Sequence, residues 1–368
     1  MIPTFMRGGS IDRVRASAHG RVNLIGEHTD YNGGLVLPVA TPQRTQVELR
    51  PAGDRQVRAV SDQEGEAPAF EVGAEAPSGG WVDYVAGMTH ALAAMGHELG
   101  GFHLHVSSDL PVGAGLSSSA ALEVAVGRAL REAFDLELDD VEIAEAGRRT
   151  ETEFVGVQSG PMDQLAAGLA ATDSALLIDC RTLVRMPVPI PAGCELLVLD
   201  SGQRRSLASG EYDVRRAECE RAAQALGVAQ LCDLGPRDPR LAALPAPLDR
   251  RAQHVTAESQ RVAAAAEAML DGDVRALGTL FDRSHESLRT LFEASTPEVD
   301  RLVGLARECG ALGARLTGGG FGGAVVALAP AGRAGEIGAQ AVARYRRAHP
   351  ALEARVLIAP ARPAPSPE

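Results

Sequence analysis

The chain has 368 residues, 45% hydrophobic and 23% charged, with a formal net charge of -12. That describes a soluble globular protein long enough for two domains, and the acidity disfavours nucleic acid as a partner. All 36 basic residues are arginine, which excludes a Walker A loop, a protein kinase with its strand lysine, and Schiff-base chemistry.

The start, MIPTFMRGGSIDR, has no signal-peptide core, and no apolar run reaches the length of a membrane span, so a cytoplasmic protein is expected. RVNLI (21–25) and GLVLPV (34–39) read as strands, joined by GEHTDYNGG with its Asn32-Gly33 turn signal. A hairpin needs only that dipeptide. It does not need Glu27, His28 and Asp30, three side chains able to accept hydrogen bonds from a polyhydroxylated ligand such as a sugar. A solvated loop is the alternative at this point.

QVELR (46–50) reads as a strand and WVDYVAGMTHALAAM (81–95) as a helix headed by the single tryptophan, Trp81. FHLHV (102–106) reads as a strand with His103 and His105 on one polar face. They are not expected to bind metal, because no Cys or carboxylate stands at ligand spacing. In LPVGAGLSSSAALEVAVGRALREAF (110–134), Leu122, Val126, Leu130 and Phe134 mark one apolar helix face, and Ser117, Ser118 and Ser119 stand where N-caps belong. Gly113 and Gly115 let the backbone come close to a ligand, and the unpaired amides of a helix start favour phosphate. An ordinary capped helix would also account for the pattern.

VEIAEAGRRTETEF (141–154) reads as a helix, ALLID (175–179) and ELLVLD (195–200) as strands, and a domain change is expected near Pro189 to Cys194. EYDVRRAECERAAQAL (211–226) and a stretch from His254 to Phe292, broken at Asp271-Gly272, read as helices. CDLGPRDPRLAALPAPLD (232–249) between them is expected to be a surface excursion. LTGGGFGG (316–323) holds more glycine than a turn requires, and AVVALAP (324–330) follows as a strand. The helix EIGAQAVARYRRAH (336–349) and a disordered end, ARPAPSPE, complete the reading. Strands and helices mix without βαβ alternation, which points to an α+β fold. Cys180, Cys194, Cys219, Cys232 and Cys309 are odd in number without a CxxC, so free thiols are expected.

Taken in order, the acidic loop, PVGAGLSSSA and LTGGGFGG resemble the three motifs of the GHMP small-molecule kinases, and the first is similar to the galactokinase signature. The likeness runs from Arg21 to Pro330 and takes in WVDYVAG (81–87), GPMDQ (160–164), SLASGEYDVRRAECE (206–220) and FEASTPEVD (292–300). It implies a two-domain fold. Residues 1–190 would form an N-terminal domain like the second domain of ribosomal S5, and 191–368 a ferredoxin-like C-terminal domain. The implied activity is transfer of phosphoryl from ATP, with Mg2+, to a sugar hydroxyl at C1. No membrane partner is expected, and the chain is expected to be a monomer or weak dimer.

By that resemblance Asp163 is the catalytic carboxylate, although a helix N-cap would also explain an aspartate after the Gly160-Pro161 turn. Arg21 matches the arginine that contacts it. Glu27, His28, Asp30, the Gly160 backbone and Tyr212 fall to the sugar. Trp81, Gly113, Gly115, Leu116, Ser117, Ser118 and Ser119 fall to the nucleotide, Ser119 and Glu151 to magnesium, with Glu153 a neighbouring alternative to Glu151. Gly318, Gly319 and Gly320 would bring backbone against the substrates. His19, Pro161 and Asp200-Ser201 depart from the family pattern without removing a catalytic group. A sister kinase for N-acetylgalactosamine or arabinose would keep every one of these groups, and a galactose and ATP sensor without turnover is a further alternative. A mevalonate or homoserine kinase would not need the acidic loop.

Overall fold

The computed structural model describes residues 12–111, 113–204 and 210–358, and the chain forms two compact units. The first eleven residues, the whole of SLAS (206–209) and the ARPAPSPE end lie outside the described residues.

One unit comprises residues 1–19, 43–110 and 119–159. Its strand Phe102–Ser108 pairs antiparallel with the second half of Pro38–Pro51, from Thr45 opposite Ser108 to Pro51 opposite Phe102, and in parallel with Gln56–Ser61. Phe102, Leu104 and Val106 are buried while His103 and His105 face out, the period of two that a half-covered strand imposes. His105 Nε2 meets Asp62 Oδ1 at 2.8 Å, a carboxylate that sequence spacing could not reveal. Among the described residues no group of three or more His, Cys, Asp and Glu could hold a metal.

Helices Asp83–Ala94, Ser118–Ala133 and Asp140–Arg149 occur where the apolar spacing predicts them. They pack closely because position 127 is glycine: a Cβ there would stand 2.5 Å from Ile143 and 2.9 Å from Met88. Asp139 caps the third helix through the amides of Val141 and Glu142, and Glu142 returns the bond to the Asp139 amide. The expected single helix over 141–154 is in fact two pieces, because from Thr150 to Val155 it widens into a π turn. Such turns recur at functional positions, and this one carries Glu151.

The other unit comprises residues 20–42, 111–118 and 160–368. It contains an antiparallel sheet in the order Gly313–Thr317, Ala324–Pro330, Cys194–Asp200, Arg355–Ile358. AVVALAP lies inside this sheet with neighbours on both sides, which explains its unbroken apolar run. Leu197, Leu199, Leu316, Val325 and Ala327 of the sheet join Leu302 and Ala306 of helix Pro297–Glu308 and Ile337 and Tyr345 of helix Ala334–Ala348 in one core.

Two expectations need correction here. The helix expected from His254 begins at Leu248, directly after Pro247, and runs to Leu270. It breaks at Asp271-Gly272 as expected, and Asp273 caps the next helix, Val274–Ser287, through the amides of Arg275 and Ala276. The excursion at 232–249 is not wholly superficial. Leu241 is buried in the core and Leu234, Leu244 and Leu248 pack against it, so its leucines anchor a chain whose prolines and aspartates suggest only surface. Helix Pro297–Glu308 was not among the expected elements; Thr296 caps it through the Val299 amide, and proline occupies its first turn.

Candidate active site

The acidic loop is not a two-residue hairpin. Its arms meet through Leu24 N–H to Leu37 O and Leu37 N–H to Ile25 O, and between them residues Asp30–Asn32 form a short 3-10 turn closed by Gly33. The Asn32 side chain donates to His28 O at 2.8 Å, and Thr29 O accepts from the amides of both Asn32 and Gly34. These bonds hold His28 at φ 65°, a conformation a β-carbon disfavours. The His28 ring is 4.3 Å from Phe292 and 5.6 Å from Tyr212, and its Nδ1 lies 2.8 Å from the Tyr31 hydroxyl. Tyr212 opens helix Glu211–Leu226, which Arg215 ties to Phe292 O at 2.8 Å.

Glu27 turns inward. Its carboxylate is paired with Arg315 and accepts from the Thr317 hydroxyl at 3.2 Å and the Gly318 amide at 2.9 Å. Burial raises its pKa, and Arg315 and the amide pull the other way. Three of about four lone-pair sites are thereby contacted, the single Thr317 proton being shared with Asn23 O at 2.8 Å. Arg315 also pairs with Glu258, whose pKa falls to about 2: burial opposes ionisation there, and Arg261, Arg315 and His254 together outweigh it. Burial lowers His254 to about 4. Its ring is therefore neutral, donates from Nε2 to Glu27 O at 3.2 Å and accepts at Nδ1 from Ser287 at 2.8 Å.

Asp30 stands against Gly160. A Cβ on Gly160 would come within 2.2 Å of Asp30 Oδ2 and 2.6 Å of its Cγ, so only glycine admits the carboxylate here. Burial, aided by the nearby Asp163 charge, raises Asp30 to about 6, so it is mostly ionised at neutral pH and sensitive to mild acid.

Asp163 lies in the first turn of helix Met162–Leu169. Arg21 grips it with two bonds, Nε to Oδ1 at 2.8 Å and Nη2 to Oδ2 at 2.7 Å. The same guanidinium donates from Nη1 to Gly115 O at 2.7 Å, and the Arg21 amide donates to Leu116 O at 3.0 Å. Gly113, Gly115 and Ser117 all have positive φ, and helix Ser118–Ala133 begins at the next residue. Ser117 is not a side-chain cap of the ordinary extended kind. Its hydroxyl donates to Asp163 Oδ2 at 2.5 Å, a contact that sequence reasoning missed.

In the other unit, the Ser119 hydroxyl donates to Glu151 Oε1 at 2.9 Å, and Glu151 is buried. Glu153 is exposed and occupied with Arg149. Trp81 is half-buried just before helix Asp83–Ala94. Asp83 secures the preceding turn by accepting from the Ser78 amide and hydroxyl at 2.9 and 2.7 Å and from the Gly79 amide at 2.7 Å.

The structure thus groups Arg21, Asp163, Gly115, Leu116 and Ser117, sets Asp30 on Gly160, and clusters His28 with Tyr212 beside inward-facing Glu27. A carboxylate held by an arginine on a glycine loop can orient a hydroxyl toward a phosphoryl group.

Comparison with known proteins yields three family matches. GHMP kinases N terminal domain matches residues 83–171, GHMP kinases C terminal matches 265–347, and galactokinase galactose-binding signature matches 6–51. A curated galactokinase of Mycobacterium bovis (strain BCG / Pasteur 1173P2) is 46% identical over 332 residues, 88% of this chain and 91% of that protein. The crystal structure of Lactococcus lactis galactokinase complexed with galactose is 31% identical, covers 95% of this chain and 94% of its own, and superposes with a TM-score of 0.89. Methanococcus jannaschii mevalonate kinase, 19% identical over 95% of this chain and 98% of its own with a TM-score of 0.67, shares the fold.

Proposed function

This chain belongs to the galactokinase family of the GHMP kinases, and we propose that it transfers the terminal phosphoryl group of ATP to the C1 hydroxyl of galactose, giving galactose 1-phosphate and ADP. Its α+β fold is the two-domain GHMP fold; we draw the functional division at 1–190 and 191–368, a division by motif that differs from that of the compact units. The protein is read as a cytoplasmic monomer or weak dimer; among the described residues no helix is long and apolar enough to cross a membrane.

The reading rests on one observation: the Arg21–Asp163 pair is bonded directly to the glycine loop through Gly115 O and Leu116 O. In the reaction the C1 oxygen forms a bond to the γ-phosphorus while the bond from that phosphorus to the β,γ-bridging oxygen breaks. ADP leaves with the electron pair, and the proton of the C1 hydroxyl passes to Asp163. Because phosphoryl transfer has a loose transition state, the hydroxyl loses its proton late and Asp163 need not be a strong base. Arg21 orients Asp163 and offers positive charge where the transferring group becomes most anionic. The amides of Gly113 to Ser119 receive the phosphates, and Trp81 lines the adenine site. His28, Asp30 and Tyr212 surround the sugar, with Glu27 accepting one hydroxyl.

Magnesium fits the residues present. Ser119 and Glu151 offer two hard oxygens already 2.9 Å apart, too few for a cage of protein ligands but suited to an ion that also binds phosphate and water. When bound, it supplies charge neutralisation at the phosphates.

A sugar panel with ATP and magnesium tests the reading through ADP release. Galactose is expected to give the highest kcat/KM. A higher value with N-acetylgalactosamine or arabinose would make the chain a sister kinase, and binding without ADP release would make it a sensor.

The Gly160 contact supplies a second expectation. Gly160→Ala must push Asp30 aside, and since a misplacement of about 1 Å can cost on the order of 10²-fold, KM for galactose should rise by about tenfold or more while KM for ATP holds. Steady-state kinetics with each substrate varied would show it, and an unchanged galactose KM would remove Asp30 from the sugar site.

A further inference from the structure

We propose that Ser117 is a positioning residue whose hydroxyl latches the phosphate loop onto Asp163, so that one element places both the phosphoryl donor and the group that takes the sugar's proton. The proposal rests on the reading of Asp163 given above and assigns the Ser117 hydroxyl to Asp163, leaving the loop amides to the nucleotide.

Two independent features point to it. The first is backbone conformation. The loop adopts positive φ at Gly113, Gly115 and Ser117, at 73°, 79° and 52°. Two of those positions use glycine, the residue for which this conformation is free, and the third carries a side chain despite the conformational cost. The second is where that side chain goes. Its hydroxyl stands 2.5 Å from Asp163 Oδ2, the short distance of a bond to an ionised acceptor, on an oxygen already held by Arg21 Nη2 at 2.7 Å. Arg21 in turn holds Gly115 O and Leu116 O. Three consecutive loop residues are therefore tied to the Arg21–Asp163 pair, and a shift of the loop cannot leave Asp163 where it is.

The orientation of the carboxylate follows. Arg21 holds each oxygen of Asp163 by one bond, and a further donor on Oδ2, from the loop, narrows which lone pairs remain for the acceptor hydroxyl. A loop displaced from its phosphate-binding conformation withdraws that donor, so Asp163 is correctly set only when the loop is.

Ser117→Gly is the informative variant, because it removes the hydroxyl while suiting the backbone, so folding is not at risk. A lost bond to a charged group corresponds to roughly 10- to 100-fold, and kcat should fall by that factor with KM for galactose and for ATP within about threefold of wild type. The thermal midpoint should not drop. Ser117→Ala should lose the same kcat and show a lower midpoint, separating hydroxyl from backbone. In an Asp163→Asn background, Ser117→Gly should change kcat by no more than about twofold, since groups that act as a unit are not additive. Equal losses in both backgrounds, a rise in KM for ATP at constant kcat, or a kcat for Ser117→Gly within about twofold of wild type would each overturn the latch. Failure of the underlying reading is distinct: Asp163→Asn alone would then retain turnover.

Discussion

Asp163→Asn is expected to lower kcat by about 10²- to 10⁴-fold, the usual contribution of a positioned proton acceptor, with galactose affinity within about threefold of wild type. The replacement has the same shape, but the site around it is built entirely of donors. Arg21 Nε faces Oδ1, while Arg21 Nη2 and the Ser117 hydroxyl face Oδ2. An asparagine presents one oxygen and one NH2, and whichever way the amide turns, its NH2 meets a donor. The variant thus loses the charge, the proton acceptor and the alignment of Arg21 together. Sugar contacts at Asp30, His28 and Tyr212 come from other elements, so binding should survive. Single-turnover ADP formation alongside calorimetric galactose binding would separate the two effects. A kcat within about tenfold of wild type would mean that positioning by Arg21 and the loop amides carries the rate without Asp163.

How far the sequence anticipates this site depends on whether a residue's partner is local. The density of Glu27, His28 and Asp30 between two apolar runs was readable as a binding loop, and the glycines of 113–115 as a place where backbone meets a ligand. Where those side chains point was not readable. Glu27 faces Arg315 and Gly318, some 290 residues away in sequence, and nothing in EHTD distinguishes an inward glutamate from an outward one. Arg21 and Asp163, separated by 142 residues, were joined only through resemblance to a family. Helix Ser118–Ala133 announced itself by its apolar face, but no propensity rule sends Ser117 to a distant carboxylate. In the fold, AVVALAP was plain because a strand covered on both faces is apolar throughout. Strands Gln56–Ser61 and Gly313–Thr317 were not expected: the first is a short run whose exposed side carries Arg58, and in the second Arg315 interrupts a strand that is buried throughout. That second arginine is buried for a reason found only in three dimensions.

Arg315→Met should cost about 3–5 kcal/mol of folding stability near neutral pH, the penalty for removing one partner from a buried ion pair. Arg315 is fully buried, and its guanidinium serves two buried carboxylates, Glu27 and Glu258, besides donating to Leu24 O at 3.0 Å and Ser284 at 3.0 Å. With Arg261 on the far side of Glu258, at 2.7 Å, the four charges balance. Methionine fills the volume but leaves two carboxylates facing one arginine. The deficit should depend on pH in a definite direction. In the wild type Glu258 sits at about 2 against an ordinary 4.5, so its contribution is complete above 4.5 and disappears as pH falls toward 2. Without Arg315 both carboxylates titrate higher in the folded state, so the variant binds protons earlier than the wild type and loses less stability on acidification. The gap between the two proteins should therefore narrow from about pH 8 to about pH 5. Adding Glu27→Gln, which removes one of the uncompensated charges, should recover part of the loss at neutral pH and flatten the pH dependence. Urea unfolding at the two pH values measures all of this. A loss below about 1 kcal/mol, the scale of an exposed pair, or a deficit that does not change with pH, would mean that Arg315 is held there by packing and not by the two carboxylates that anchor the acidic loop to the third glycine motif.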